Sequence, residues 1–182
     1  MADPLATRGF IIARLPFGNT SLIVRCLCPE GRITLMAKGA ARPKGAFTGL
    51  LDLFYQADFL YQPSRTGDIH NLREVKLLEA HLGLRKSYAN LLAAQYFAAL
   101  VETVTEAGTP VPQEYELFSK AIGYLAGTEV TWRAVERFES RIVALAGIAP
   151  ADHDLPRAFQ SLHHKVPSLR EDLLKQLAVR PA

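Results

Sequence analysis

The chain has 182 residues, of which 49% are hydrophobic and 21% are charged, and its formal net charge is +3. This composition is typical of a soluble globular protein that can bury a core without disulfide or metal staples. No apolar run approaches the roughly 18 residues that a membrane span needs. The start, Met1–Pro4, carries an acid and a proline, so we expect no signal peptide and a cytoplasmic location.

Charge is distributed unevenly along the chain. Residues 8–49 contain seven basic residues and one acidic residue, Glu30, whereas the stretch from Leu77 onward contains eleven basic and twelve acidic residues. A basic half beside a near-neutral half favours a polyanionic partner for the basic half.

Five segments of the first half have the pattern of short strands, with apolar residues at period two or in β-rich runs. In the third of them, Ile33, Leu35 and Ala37 alternate with polar or basic residues, which predicts a half-buried strand with a basic outer face. Five short strands separated by turn signals predict a small closed barrel, because closure removes exposed sheet edges. The predicted strands cover residues 9–15, 21–28, 32–38, 52–61 and 69–75.

The only cysteines, Cys26 and Cys28, lie two residues apart in the second predicted strand. Alternate strand residues share a face, so a disulfide between them has poor geometry. No second cysteine pair completes a tetrahedral metal site. We interpret both as small apolar residues on a buried face.

After Val75 the apolar residues recur at helical spacing. The stripes predict helices around residues 84–100 and 115–125, a third with Thr128 as its N-cap, and a last one opened by a capping box at Ser168. The sequence therefore predicts an α+β protein, with a β domain over residues 1–76 and an all-α helical domain over residues 77–182.

Enzyme motifs are absent from the sequence, which has no phosphate-binding P-loop, no G-x-S-x-G elbow and no H-E-x-x-H. The adjacent His163 and His164 diverge, so we expect a solvated surface there, and we expect structural or exposed roles for His70, His81 and His153. The sequence predicts a binding protein that needs no cofactor and no metal.

The strongest functional feature is a loop rich in glycine and basic residues, from Met36 to Phe47. Glycines let a backbone approach a ligand closely, while Lys38, Arg42 and Lys44 supply charge that attracts phosphate. On a small barrel, a basic groove with aromatic side chains binds single strands without sequence preference. A basic loop without a ligand fits the same pattern.

Two segments resemble the RecO family of recombination mediators. Residues 9–24 (GFIIARLPFGNTSLIV) resemble the family's start, and residues 31–44 (GRITLMAKGAARPK), continued by residues 49–54 (GLLDLF), resemble its signature. The resemblance is specific in these segments and architectural over the helical half.

That resemblance implies an N-terminal five-stranded oligonucleotide-binding (OB) barrel followed by a helical domain. It implies binding of single- and double-stranded DNA at the nucleoid, annealing of complementary strands and help in loading RecA. The implied protein partners are RecR and the acidic tail of single-stranded DNA-binding protein, with no membrane involved. Many relatives carry a four-cysteine zinc module, which we expect to be absent or degenerate because no cysteine follows Cys28.

Within this frame the predicted DNA contacts are Arg14, Arg32, Lys38, Arg42 and Lys44. About five phosphate contacts predict a log–log salt slope of about −3.5 to −4.5.

On one predicted helix, Arg133, Arg137 and Arg141 recur every four residues and are candidates to line a groove for the acidic tail, although a solvated helical face has the same spacing. Two other functions remain open: an OB-fold RNA-binding protein, and a protein-interaction scaffold whose basic loop meets an acidic protein.

Overall fold

The protein is described by a computed structural model that covers residues 3–147, Phe159 and residues 165–178. It divides into two compact units. The first holds the chain up to His81 together with Ala107–Tyr115, and the second holds Leu82–Glu106 and the chain from Glu116. Residues 107–115, which fall in the predicted helical domain, thus lie with the strands.

The first unit is a closed barrel of five strands in the order β1-β2-β3-β5-β4. All neighbours pair antiparallel except β3 and β5, which are parallel. This confirms the predicted α+β architecture of a five-stranded barrel followed by helices. The strands are β1 (Leu5–Phe17), β2 (Ser21–Cys28), β3 (Gly31–Ala37), β4 (Gln56–Gln62) and β5 (Ile69–Glu79).

The barrel interior is filled by the alternate strand residues that the period-two pattern predicts to be buried. On β2 these include Cys26 and Cys28, which are free and fully buried. Burial raises the pKa of the Cys28 thiol to about 12, so the thiol is neutral near pH 7 and packs as an apolar group. The other members of this core include Ile11, Leu22, Val24, Leu35, Ala37, Phe47, Leu51, Ala57, Phe59, Tyr61 and Leu72.

The fourth strand begins at Gln56, so the prediction that it begins at residue 52 is wrong. Phe54 adopts a left-handed φ of 65°, and its N–H donates to the carbonyl of Ile11 at 2.8 Å. A left-handed residue interrupts an extended strand, so residues 52–55 form a turn despite their alternating side chains.

A 3-10 helix at Leu82–Lys86 precedes the first α-helix. In the part of the chain that the structure describes, no helix is long and apolar enough to cross a membrane. Ser87 caps the first α-helix by accepting a hydrogen bond from the Asn90 N–H at 3.4 Å. The α-helices with described bounds are α1 (Tyr88–Val104), α2 (Pro112–Gly127), α3 (Trp132–Leu145) and α4 (Leu169–Ala178).

The N-cap of α3 is Thr131, so the prediction that Thr128 caps this helix is wrong. The Thr131 side chain accepts a hydrogen bond from the Ala134 N–H at 3.3 Å, while the carbonyl of Thr128 accepts one from the Asn90 side chain at 2.8 Å. Buried Asn90 also accepts a hydrogen bond from the Val130 N–H. Asn90 therefore holds residues 128–130 in a turn between α2 and α3, and α3 begins only at Trp132.

Buried polar groups also attach the last helix to the bundle. Glu139 on α3 is 5% exposed and accepts hydrogen bonds from the Tyr96 hydroxyl and from Arg170 Nε, the latter at 2.8 Å. Arg170 also lies over the Trp132 ring, 5.1 Å from its centroid. Because a buried carboxylate needs such partners, these contacts fix α4 against α1 and α3.

Candidate nucleic-acid interface

The outer surface of β1, β2 and β3 is divided into two ends. At one end, Phe10 and Leu27 are opposite each other and fully buried, although neither belongs to the barrel interior. The cover is residues 107–115, the link that follows α1 together with the first turn of α2, which we call the connecting segment. We call this end of the surface the covered end.

Four contacts hold the connecting segment on the covered end. Tyr115 packs against Phe10 with ring centroids 5.7 Å apart, and its hydroxyl accepts a hydrogen bond from Gln56 at 3.0 Å. The Val111 N–H donates to the Pro29 carbonyl at 2.9 Å. Arg32 forms a β-bridge with Ala107.

The other end of the same face is open. Register places Leu15, Ile23 and Met36 side by side across three strands, and Phe17 opposite Ser21. Leu15 is 48% exposed and Phe17 is 49% exposed. We call this the open end; the next row toward the covered end contains Arg25 and Thr34.

The basic loop, residues 38–49, begins at the open end. The Ala41 N–H donates to the Thr20 carbonyl at 2.9 Å, which ties the loop to the β1–β2 turn. Successive turns follow, with the Arg42 N–H bonded to the Gly39 carbonyl at 3.1 Å and the Gly45 N–H bonded to the Arg42 carbonyl at 3.0 Å. The loop is therefore a compact structure that presents its cations on the surface.

A Cβ atom at Gly45 would lie 2.7 Å from the Gly39 carbonyl oxygen, so the loop requires glycine there. Lys38, Arg42 and Lys44 are all exposed, and the Arg42 side chain lies over Gly39, the residue that follows Lys38 in the chain. The structure thus brings these three predicted DNA contacts into one loop.

The remaining two predicted contacts lie elsewhere. Arg14 is on β1 and pairs with Asp52 through Nη1 and Oδ1 at 3.2 Å, so a carboxylate offsets its charge. Arg32 is at the covered end, six residues from Lys38, which corresponds to about 20 Å of extended chain.

A cleft of about 340 Å³ adjoins the basic loop, and its lining adds a cation that the sequence interpretation missed. Arg73 comes from β5 and faces the same cleft as Lys38. The signal in the sequence was the charged pair Arg73-Glu74 between the apolar Leu72 and Val75, a spacing that regular alternation does not produce. The cleft is lined by Lys38, Ala46, Phe47, Asn71, Leu72 and Arg73.

The helical unit contains a second concave site, a groove of about 390 Å³ between α2 and α3. Arg133, Arg137 and Arg141 all line it, with Lys120 on the facing helix. Its floor includes Phe97 and Phe138, whose rings stack with centroids 4.0 Å apart. The described lining residues include no carboxylate, so the groove combines an apolar floor with a cationic rim.

The described histidines have structural surroundings. His70 Nδ1 accepts a hydrogen bond from the Ser64 N–H at 3.3 Å and its ring stacks on Tyr61, while His81 is buried against Phe10. Among residues 3–147, Phe159 and 165–178, no three His, Cys, Asp or Glu side chains are grouped so as to hold a metal ion. The predictions for His153, His163 and His164 lie outside the described residues.

Comparison with known proteins assigns both halves of the chain to one family. The profile of the recombination protein O N-terminal region matches residues 1–81, and that of its C-terminal region matches residues 85–154.

Several proteins named DNA repair protein RecO are similar in sequence. The one from Vibrio parahaemolyticus is 30% identical over 92% of this chain and 72% of its own length. The one from Rhodopirellula baltica is 31% identical over 78% of this chain and 53% of its own length. The one from Alkaliphilus metalliredigens is 27% identical over 80% of this chain and 59% of its own length. The chain thus spans between about half and three-quarters of these relatives. It belongs to the RecO family of recombination proteins.

Proposed function

We propose that the chain is a recombination mediator that binds single- and double-stranded DNA at the open end of its barrel and anneals complementary strands. The observation that carries this proposal is the joining of exposed apolar side chains and a cationic loop at one end of the barrel surface. In OB folds, the face of strands 2 and 3 and the adjoining loops bind oligonucleotides. Here that face carries Ile23 and Arg25 on β2, with Phe17 on the neighbouring β1 and Lys38 directly after β3.

Annealing requires no covalent chemistry, because its barrier is the repulsion between two phosphate backbones. Cations of the basic loop neutralise this repulsion and release counterions, which makes binding sensitive to salt. Phosphate contacts carry no base information, so we expect little sequence preference. Lys38, Arg42 and Lys44 are the principal candidates, and Arg14 and Arg32 remain predicted contacts outside the loop.

The groove between α2 and α3 is our candidate site for the acidic tail of single-stranded DNA-binding protein. An acidic peptide with apolar end residues fits a groove that has an aromatic floor and four basic residues. Binding of this tail would bring the barrel to coated single strands, on which RecR and this protein would together help to load RecA. We expect this activity at the bacterial nucleoid.

The test of DNA binding is annealing of two complementary oligonucleotides coated with single-stranded DNA-binding protein, across a salt series. Wild type should accelerate annealing, and the Lys38/Arg42/Lys44 triple alanine variant should lose most of that acceleration. A wild type that binds structured RNA in preference to DNA would favour the RNA-binding alternative. Absence of any nucleic-acid binding would favour the scaffold alternative.

The test of the groove uses a synthetic acidic tail peptide and calorimetric titration. Arg137→Glu reverses a charge in the groove and should weaken binding at least tenfold. Lys175→Glu makes the same change on α4, where the ammonium lies 3.8 Å from Asp172 and outside the groove lining, and should leave affinity unchanged. Equal affinities of both variants would contradict the assignment of the groove.

A further inference from the structure

We propose that the cleft beside the basic loop seats one unpaired nucleotide of a DNA strand, with its phosphate between Lys38 and Arg73 and its base edge on Asn71. This rests on the DNA binding proposed above and makes part of that surface selective for single strands.

A β-bulge positions Arg73. The pairing of β4 with β5 steps from Leu60↔Glu74 to Tyr61↔Leu72, so Arg73 has no Cα partner on β4. A bulge inserts one extra residue and redirects the side chains around it. Leu72 is buried in the barrel core and Val75 packs against that core, which leaves Arg73 and Glu74 both exposed between them.

The bulge brings two cations to one cleft. Lys38 enters it directly after β3, and Arg73 enters it from the neighbouring strand β5. None of the six lining residues is acidic. Two like charges facing one cavity repel each other, so an anion between them is stabilised by both. An arginine fork beside a lysine ammonium matches the oxygen atoms of a phosphate.

The size of the cleft favours one nucleotide. A volume of about 340 Å³ is near the lower end of the range of about 300–1,000 Å³ for small-molecule sites. A duplex presents its phosphates to such a cleft but keeps its bases paired, whereas a single strand can also insert a base. Phe47 is 8% exposed, so it supplies an apolar floor rather than a stacking surface.

Asn71 supplies the contact to the base. It precedes buried Leu72 on β5, and its Cα is in register with Met36 on β3. Its side chain therefore lines the cleft where the parallel strands β3 and β5 pair. A side-chain amide both donates and accepts hydrogen bonds. It can therefore meet the edge of any base, which agrees with binding that has little sequence preference.

The first experiment measures the salt dependence of single-strand binding by fluorescence anisotropy with a thymidine oligonucleotide. Arg73→Ala should reduce the log–log slope by about 0.7, the contribution of one phosphate contact on a single strand. Lys76→Ala is the matched control, because Lys76 is exposed on the same strand, opposite Asp58 and outside the cleft. It should leave the slope unchanged.

The second experiment compares that oligonucleotide with an abasic one of equal length and charge. Asn71→Ala should weaken binding of the thymidine oligonucleotide by about three- to tenfold and leave the abasic one unaffected. Equal losses on both probes, or equal slopes for Arg73→Ala and Lys76→Ala, would overturn the nucleotide site while leaving DNA binding intact. A wild type that binds neither probe would instead refute the proposed DNA binding itself.

Discussion

The covered end and the open end belong to the same three strands and the same outer face, yet they differ in surroundings. At the covered end Phe10 is fully buried beneath the connecting segment, whereas at the open end Phe17 is 49% exposed. Both phenylalanines lie on β1, seven residues apart. The difference shows that a strand's alternation determines which side chains leave the barrel but not whether they reach solvent.

The covered end contributes packing, and the open end is available to a ligand. Leu15 and Phe17 stay about half exposed at the open end, beside the cations of the basic loop, and this supports the proposal that DNA binds there. Four predictions test this division, from the largest expected effect to the smallest.

Phe10→Ala should lower the free energy of unfolding by about 3–5 kcal/mol, because it leaves a cavity beneath Tyr115 and His81. Phe17→Ala, the same substitution at the open end, should change it by less than about 0.5 kcal/mol. Urea denaturation of both variants measures the contrast. Similar values would mean that the two ends do not differ in their contribution to folding.

Gly31→Ala should destabilise the protein by about 3 kcal/mol, because an alanine would adopt an unfavourable backbone conformation and also meet the connecting segment. Gly31 has a φ of +125°, and a Cβ atom would lie 2.7 Å from the Thr109 carbonyl oxygen. Gly18 at the open end also has a positive φ, +59°, but its Cβ would meet no atom within 4 Å.

Gly18→Ala should therefore lower the free energy of unfolding by only about 1 kcal/mol, the energy needed to hold an alanine in the left-handed conformation. Thermal unfolding of the two variants, compared in one buffer, measures the difference. A larger loss for Gly18→Ala would show that close approach of the connecting segment does not constrain the covered end.

Phe17→Ala should weaken single-strand binding by about 1–3 kcal/mol, the usual value of one base–aromatic stack. Leu15→Ala removes an apolar side chain of nearly equal exposure without an aromatic ring and should have less than half that effect. Anisotropy with a short oligonucleotide compares them. Equal losses would indicate general apolar contact rather than stacking.

The smallest effect concerns pH at the covered end. Burial lowers the pKa of His81, which stacks on Phe10, and this outweighs the opposing effect of Glu79 at 3.7 Å. The unfolded chain therefore binds a proton at higher pH than the folded one, so stability should fall as pH drops below about 6.5, the ordinary pKa of histidine.

His81→Asn removes the titrating group and keeps a residue type that tolerates the left-handed backbone, since His81 has a φ of +46°. Denaturation at pH 7.5 and pH 5.5 should show a smaller decrease in stability for the variant than for wild type. An identical decrease would assign the pH dependence to other groups.

Local patterns in the sequence were enough to predict the five strands, the helical half and the basic loop. The apolar stripe of residues 84–100 predicts the first α-helix, which the structure places at Tyr88–Val104. Lys38, Arg42 and Lys44 lie in one compact loop, as their spacing predicts. Each of these features depends on neighbours close in the chain, through side-chain alternation or turn-forming residues. Thr128 was misassigned because a cap depends on how the preceding turn packs, here through Asn90.

Other features depend on residues distant in the chain, and only the tertiary structure decided them. Arg32 alternates outward like Lys38, but it meets Ala107, 75 positions away, and so lies at the covered end. Arg73 faces the cleft because pairing with β4 leaves it in a bulge. The sequence by itself determined the fold class and which strand faces are polar, because both follow from local periodicity. Which part of the outer face stays accessible was decided by tertiary contacts, because burial depends on what packs against a surface.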